Sequence, residues 1–178
     1  MTAILDEAMS RAAHIVLMGF DVDGVLTDGT LYFSSQGDEM KAFSSLDGHG
    51  LKMLQRAGVE VAIISGRSSR ALELRARNLG VEELRMGVAD KRGLLTELAA
   101  RRRVDLSQTG YMGDDVVDLP ILRACGFSAT VADGHNEVLA RVDYVATRGG
   151  GRGAVREVCD LILRAQGKWD AAMAEYLT

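Results

Sequence analysis

Short, mostly apolar runs alternate along the chain with segments whose apolar residues recur every three or four positions. Residues 15–20 and 59–64 are the clearest runs, and 111–112 with its lead-in, 127–131 and 143–145 continue the series. A run that is apolar at every position predicts a strand buried on both faces, as in a parallel sheet. Between the runs, helical spacing predicts helices over 46–56, 68–79, 91–102, 116–124 and 136–140. A longer helix follows over 153–166, with Val155, Val158, Leu161, Ile162 and Ala165 on one stripe. Strands alternating with helices predict an α/β fold, a doubly wound, Rossmann-like parallel sheet, in one domain over residues 1–178. The segment 29–45 departs from the pattern. It reads as two short strands, 30–34 and 40–44, around Ser35-Gln36-Gly37-Asp38, a β-hairpin inserted between the first strand and the first helix. The stretch from about 147 to 178 follows the last strand as a C-terminal tail.

Sheets of this kind bind ligands beyond the carboxyl ends of their strands, which says where chemistry should gather. Asp21 and Asp23 follow the first strand, Ser65, Gly66 and Arg67 the second, and Gly113, Asp114 and Asp115 the strand that ends at Met112. All three clusters should therefore lie on one edge. Two carboxylates crowded at a strand end repel each other and need a proton or a cation between them. A hard, oxygen-seeking ion such as Mg²⁺ meets that need, although Asp21-Val22-Asp23-Gly24 would also suit a plain polar turn. Asp114, Asp115 and Asp118 crowd a second short segment. Helix capping and the helix dipole account for at least one of them, but not for all three at the ligand edge. Ser65-Gly66, between strand and helix, offers a hydroxyl and backbone N–H groups to an anion, or simply caps the helix. Lys91 opens another helix, at the end that disfavours a cation. It is either a solvated surface lysine or held there by something else. Brought together, Mg²⁺ and Lys91 would offset the repulsion between an attacking carboxylate and a phosphate monoester. Each such contact is worth on the order of a few kcal/mol at about 4 Å, and this is what phosphoryl transfer requires.

Composition narrows the classes further. The chain has 178 residues, of which 47% are hydrophobic, enough for one well-cored domain. A net charge of −4 argues against a nucleic-acid partner, which usually meets a basic face. The two cysteines, Cys125 and Cys159, have neither zinc nor CxxC spacing and read as reduced, buried thiols. No apolar run is long enough to span a bilayer, and Asp6 and Glu7 interrupt the N-terminus where a signal peptide would need apolar residues. The expectation is a cytoplasmic protein with no membrane partner.

At this point the residues resemble the haloacid dehalogenase superfamily, whose four motifs occur in order: Asp21-Val22-Asp23-Gly24, Ser65, Lys91, and Gly113-Asp114-Asp115 with Asp118. The resemblance implies a Mg²⁺-dependent phosphatase with Asp21 as nucleophile and Asp23 as general acid and base. It implies Mg²⁺ held by the Asp21 side chain, the Asp23 main-chain carbonyl and Asp114. Ser65, Gly66 and Lys91 would bind the phosphoryl group, with Asp115 and Asp118 as supporting acids. The strings Asp21 to Asp28, Lys41-Ala42-Phe43, Asp47-Gly48-His49-Gly50-Leu51 and Gly149 to Leu161 are similar to the capless, tetrameric branch that acts on sugar-acid phosphates. The substrate this implies is 3-deoxy-D-manno-octulosonate 8-phosphate, a lipopolysaccharide precursor. The nine-carbon analogue, or a non-catalytic assembly module of the same fold, are the alternatives. In that branch the hairpins form a small barrel and a neighbouring subunit helps to close each site. Arg67 and Arg75 then look like substrate contacts, although Arg75 would also suit a solvated helix face. The glycines of 149–153 read either as a flexible linker or as a mobile lid over a neighbour's site. His49 stands where the branch has an aromatic or aliphatic residue and reads as a tolerated substitution.

Overall fold

The structure, a computed structural model, describes residues 2–177. Helix α1 (Thr2–Ala12) leads into strand β1 (Leu17–Phe20), and the hairpin strands β2 (Tyr32–Phe33) and β3 (Glu39–Met40) follow. Next come α2 (Ser45–Arg56), β4 (Glu60–Ile64), α3 (Arg70–Leu79), β5 (Glu83–Arg85), α4 (Lys91–Arg102) and β6 (Thr109–Met112). The chain ends with α5 (Leu119–Leu122), β7 (Phe127–Thr130), α6 (Asn136–Leu139), β8 (Tyr144–Val145), α7 (Ala154–Ala165) and α8 (Trp169–Ala174). Six strands form one sheet in the order β5-β4-β1-β6-β7-β8, and every neighbouring pair is parallel. This is the expected doubly wound α/β architecture. Only the hairpin stands between β1 and α2, and no cap domain is found among the described residues.

The continuous apolar runs are buried because helices cover both sheet faces. On one face Met18, Phe20, Val61 and Ile63 pack with α1, α2, α3 and α7. On the other, Leu17, Ala62, Ile64 and Tyr111 pack with Leu95 and Leu98 of α4, Ile121 and Leu122 of α5, and Val138 of α6. Gly19 makes room within the sheet, since a Cβ there would come within 2.7 Å of the Tyr111 ring. Phe20 sits opposite Ile63 of β4 and Met112 of β6. The three central strands therefore end almost level and release Asp21, Ser65 and Gly113 at one edge.

Several elements differ from expectation, each for a local reason. Three were not anticipated: α1, α8, and β5, whose Glu83-Leu84-Arg85 is an edge strand with little apolar signal. The helix expected over 116–124 is a 3₁₀ turn, Val116–Asp118, followed by the single turn of α5. Asp115 and Asp118 cap that turn reciprocally, and Pro120 restarts the helix where a missing N–H costs little. Helix α3 begins at Arg70 rather than Ser68 because Ser69 is extended, at φ −150°. The hairpin pairs only Tyr32 with Met40 and Phe33 with Glu39. A two-stranded ribbon with no sheet beneath it is marginal on its own, and Leu31, Tyr32, Phe33 and Met40 are exposed on it.

The C-terminal tail is tied down. Gly150 and Gly151 are hydrogen-bonded within the chain rather than free as in a flexible linker, and the helix that follows packs into the core along the stripe expected of it. Val155, Val158, Cys159, Ile162 and Leu163 of α7 are fully buried, each worth on the order of 1.5–3 kcal/mol. Asp47 of α2 is 1% exposed, and its two carboxylate oxygens accept the N–H groups of Gly153 (3.2 Å) and Arg156 (2.9 Å). It thus caps the N-terminus of α7 from another helix, satisfying donors that a helix end leaves free. Gly50 lets α2 approach α7, because a Cβ there would lie 3.1 Å from the Arg156 Cα. His49, on the same helix, meets the Tyr176 ring edge-on at 5.4 Å, far in role from the sheet edge.

Replacing Asp47 with alanine leaves two buried backbone N–H groups without a partner and should cost about 2–4 kcal/mol of stability. Urea unfolding of the purified variant measures it. A midpoint unchanged from the parent would contradict the capping role.

Candidate active site

Asp21 leaves β1 with its N–H on the Met112 carbonyl at 2.9 Å, which ties it to the adjoining strand. The chain then turns sharply: Val25 and Thr27 both donate to the Val22 carbonyl, at 3.3 and 3.0 Å. Gly24 sits at φ +93°, and a Cβ on it would overlap the Asp114 carboxylate, so no other residue fits there. The turn is clamped from the far end of the chain. Gly151 donates to the Val25 carbonyl at 2.9 Å, Gly150 donates to Asp133 at 2.9 Å, and a Cβ on Gly150 would collide with the Gly24 carbonyl.

Asp21, Asp23, Ser65, Gly66, Arg67, Lys91, Asp114 and Asp115 line one pocket of about 400 Å³, together with Val88, Ala89 and Val117. The three clusters expected at one sheet edge do meet there. Lys91 is buried, not solvated. Its ammonium lies 2.9 Å from Asp21 Oδ2 and 2.7 Å from Asp118 Oδ1, which explains a cation at a helix start. Asp118 is fully buried. Its second oxygen accepts the N–H groups of Asp114 (3.1 Å) and Asp115 (3.4 Å), so both oxygens are committed to holding this corner. Asp115 caps the following turn through the Val116 N–H at 2.7 Å. Ser65 is buried, and its hydroxyl oxygen accepts the Arg67 N–H at 3.1 Å. The structure does not bring Arg75 to the pocket. Its guanidinium donates to the Ser44 carbonyl at 3.0 Å and stacks over Phe43, bracing the return from the hairpin into α2.

Crowding marks the electrostatics. Burial, reinforced by Asp118 and only partly offset by Lys91, pushes the Asp21 carboxyl up to about 6. Burial and the charges of Asp21, Asp118 and Asp115 push Asp114 up to about 7. Burial would lower Lys91, but Asp21 and Asp118 outweigh it and hold the ammonium above its ordinary value. One carboxylate oxygen from each of Asp21, Asp114 and Asp118 lies within 4.8 Å of the others. Asp114 Oδ1 is buried with no protein donor. An acceptor stranded among like charges fits a hard divalent cation; Asp21 and Asp114 could supply side-chain oxygens to it, while Asp118 is engaged by Lys91.

Two residues of the rim, Lys41 and Glu39, were given no role in the sequence. Lys41 pairs with Asp23 and lies 3.3 Å from Glu39, and Arg67 lies 3.0 Å from Glu39 and 3.7 Å from Asp23. The signal available was period two: Glu39 and Lys41 flank the exposed Met40 and so share the opposite face of the hairpin.

A parallel sheet whose central strand ends in carboxylates beside a buried lysine and a second acidic loop defines the class, a hydrolase of haloacid dehalogenase type. A family model described as haloacid dehalogenase-like hydrolase matches residues 83–155. The chain is 46% identical over 169 residues to the 3-deoxy-D-manno-octulosonate 8-phosphate phosphatase KdsC of Yersinia pestis, covering 95% of this chain and 90% of that one. Among solved structures, the Moraxella catarrhalis 3-deoxy-D-manno-octulosonate 8-phosphate phosphatase in complex with magnesium ion, phosphate ion and KDO superposes with a TM-score of 0.94. It is 43% identical, over 96% of this chain and 98% of that one. The cobalt-bound phosphatase of Haemophilus influenzae gives a TM-score of 0.89 at 41% identity, over 94% and 99% of the two chains. The chain belongs to the 3-deoxy-D-manno-octulosonate 8-phosphate phosphatase family of haloacid dehalogenase-like hydrolases.

A cation that binds only the folded chain stabilises it, by about 2.7 kcal/mol at a hundredfold excess over its dissociation constant. Mg²⁺ should therefore raise the thermal midpoint of the metal-free protein, and Asp114→Asn should abolish the rise. Differential scanning fluorimetry against Mg²⁺ concentration reads both, and an undiminished rise in the variant would remove Asp114 from the ligand set.

Proposed function

We propose that this chain is a Mg²⁺-dependent phosphatase that releases phosphate from 3-deoxy-D-manno-octulosonate 8-phosphate by way of a phospho-aspartate at Asp21. The observation that carries the reading is the Asp21 carboxylate, buried at the end of the central strand and touching Lys91 at 2.9 Å. A nucleophile there is fixed in position, and the ammonium beside it can contact the oxygens of an incoming phosphoryl group. Kinship supports the substrate, since relatives named for it match along nearly the whole chain.

In this reading Asp21, Asp114 and the Asp23 main-chain carbonyl hold Mg²⁺, which when bound neutralises charge on the phosphoryl oxygens. The Ser65 hydroxyl, the Gly66 N–H and Lys91 orient the phosphoryl group. An Asp21 oxygen forms a bond to phosphorus while the bond from phosphorus to the sugar oxygen breaks. That oxygen keeps the electron pair and takes the proton of Asp23. Asp23, now ionised, accepts a proton from water, whose oxygen attacks phosphorus and returns Asp21 as a free carboxylate. Asp118 holds Lys91 and the Asp114 loop in register, and Asp115 fixes the turn behind them. Arg67, at the rim, has the fork that suits the carboxylate of a sugar acid.

Assembly as a homotetramer, with neighbouring subunits closing the site, is supported by the exposed Leu31, Tyr32, Phe33 and Met40 of the hairpin. Among the described residues no helix is long and apolar enough to cross a membrane. A cytoplasmic location agrees with the free Cys125 and Cys159.

Asp21→Asn should reduce phosphate release by at least about 10³-fold while leaving the unfolding midpoint close to the parent's or higher. Phosphate release from the eight-carbon sugar-acid phosphate, its nine-carbon analogue and simple hexose phosphates, each with Mg²⁺ and with a chelator, tests the substrate. Turnover by a folded Asp21→Asn protein would end the covalent mechanism. A preference for the nine-carbon acid would move the substrate without disturbing the mechanism.

A further inference from the structure

The hairpin carries a residue that belongs with the chemistry. Lys41 follows β3, and its side chain is only 2% exposed, an unusual fate for a lysine. Its ammonium contacts Asp23 Oδ1 and lies 3.3 Å from Glu39. The Asp23 side chain is 21% exposed and lines the pocket beside Asp21. Its second oxygen has a looser neighbour, the Arg67 guanidinium at 3.7 Å. Arg67 is 44% exposed and is held by Glu39 at 3.0 Å. Asp23 is thus held by one buried cation, and that cation belongs to the inserted hairpin.

We propose that Lys41 is a positioning residue for Asp23, fixing its carboxyl group in the orientation from which, when protonated, it hands its proton to the leaving oxygen. The inference rests on the role of Asp23 given above. A carboxylate on a short side chain has few rotamers, and the wrong one moves its oxygens by ångströms, which is enough to lose proton transfer. A buried ammonium holds it with a strong, charge-assisted contact. Glu39 completes the arrangement by keeping Lys41 and Arg67 apart while balancing both.

Leaving-group dependence separates this role from a merely structural one. A sugar alkoxide leaves only with a proton, whereas p-nitrophenolate leaves without one. The value of kcat/KM stops at formation of the phospho-enzyme, so the later hydrolysis step does not blur the comparison. Lys41→Met should lose roughly 10²-fold in kcat/KM on the sugar phosphate and less than about 5-fold on p-nitrophenyl phosphate. Lys41→Arg, which keeps a cation, should recover most of the loss on the sugar phosphate. Should Lys41→Met fail to fold by circular dichroism, Lys41→Gln carries the same comparison.

Asp23→Asn, run in parallel, reports on the underlying reading, and Lys41→Met in the Asp23→Asn background should add little further loss. Equal losses on the two substrates, no loss on either, or full additivity in the double variant would overturn the proposal. If Asp23→Asn itself shows no selectivity between leaving groups, the proton-transfer role of Asp23 fails, and the proposal for Lys41 fails with it. If Asp23→Asn is selective and Lys41→Met is not, only the inference about Lys41 falls.

Discussion

Burying carboxylates is costly, and this fold gathers three of them, Asp21, Asp114 and Asp118, within 4.8 Å at the end of its central strand. One ammonium, Lys91, is set against them. Its contacts with Asp21 and Asp118 leave Asp114 with a stranded oxygen. The charge deficit is not an oversight of packing, because every piece around it is arranged to keep the acids together. Gly24 yields space to Asp114, Asp118 ties down the Asp114 and Asp115 N–H groups, and Tyr111 supplies a dry floor beneath Lys91 at 5.8 Å. Three carboxylates against one ammonium leave the site two positive charges short, a deficit that one divalent ion makes up.

The division of labour among the acids follows from which lone pairs are already used. Asp118 has both oxygens engaged, by Lys91 and by the Asp114 and Asp115 N–H groups. Asp21 has one oxygen on Lys91 and lines the pocket. Asp23 lines the same pocket but is tethered by Lys41 and Arg67. Three aspartates of similar intrinsic acidity thereby meet three different surroundings.

Much of this was legible in the sequence because parallel strands carry a strong signal. The apolar runs that end at Phe20 and Ile64, and the shorter Tyr111-Met112, mark where β1, β4 and β6 end, and the polar residues immediately after them line the pocket. Lys91 was legible through an anomaly, a cation at the wrong end of a helix. Other parts were hidden for physical reasons. Lys41 and Glu39 matter because a hairpin folds back over the pocket, and nothing in a two-stranded ribbon announces its direction. Arg75 reads as a ligand contact by type, yet within this chain its guanidinium spends itself on Ser44 and Phe43. The glycines of 149–153 resemble a loose linker in composition. Three of them are glycine for a local reason: Gly150 lies against the Gly24 carbonyl, Gly151 against Thr27, and Gly153 adopts φ +104°, which side chains rarely take.

The contact of Asp47 with Gly153 reaches across more than a hundred residues and bears on how the enzyme comes into being at the ribosome. The loop bearing Asp21 and Asp23 is synthesised more than a hundred residues before the glycines that clamp it, and Asp47 is synthesised more than a hundred before the helix end that it caps. A nascent chain therefore carries these residues through all of that stretch without the frame that sets their spacing. The site's geometry must wait for these most distant contacts to close.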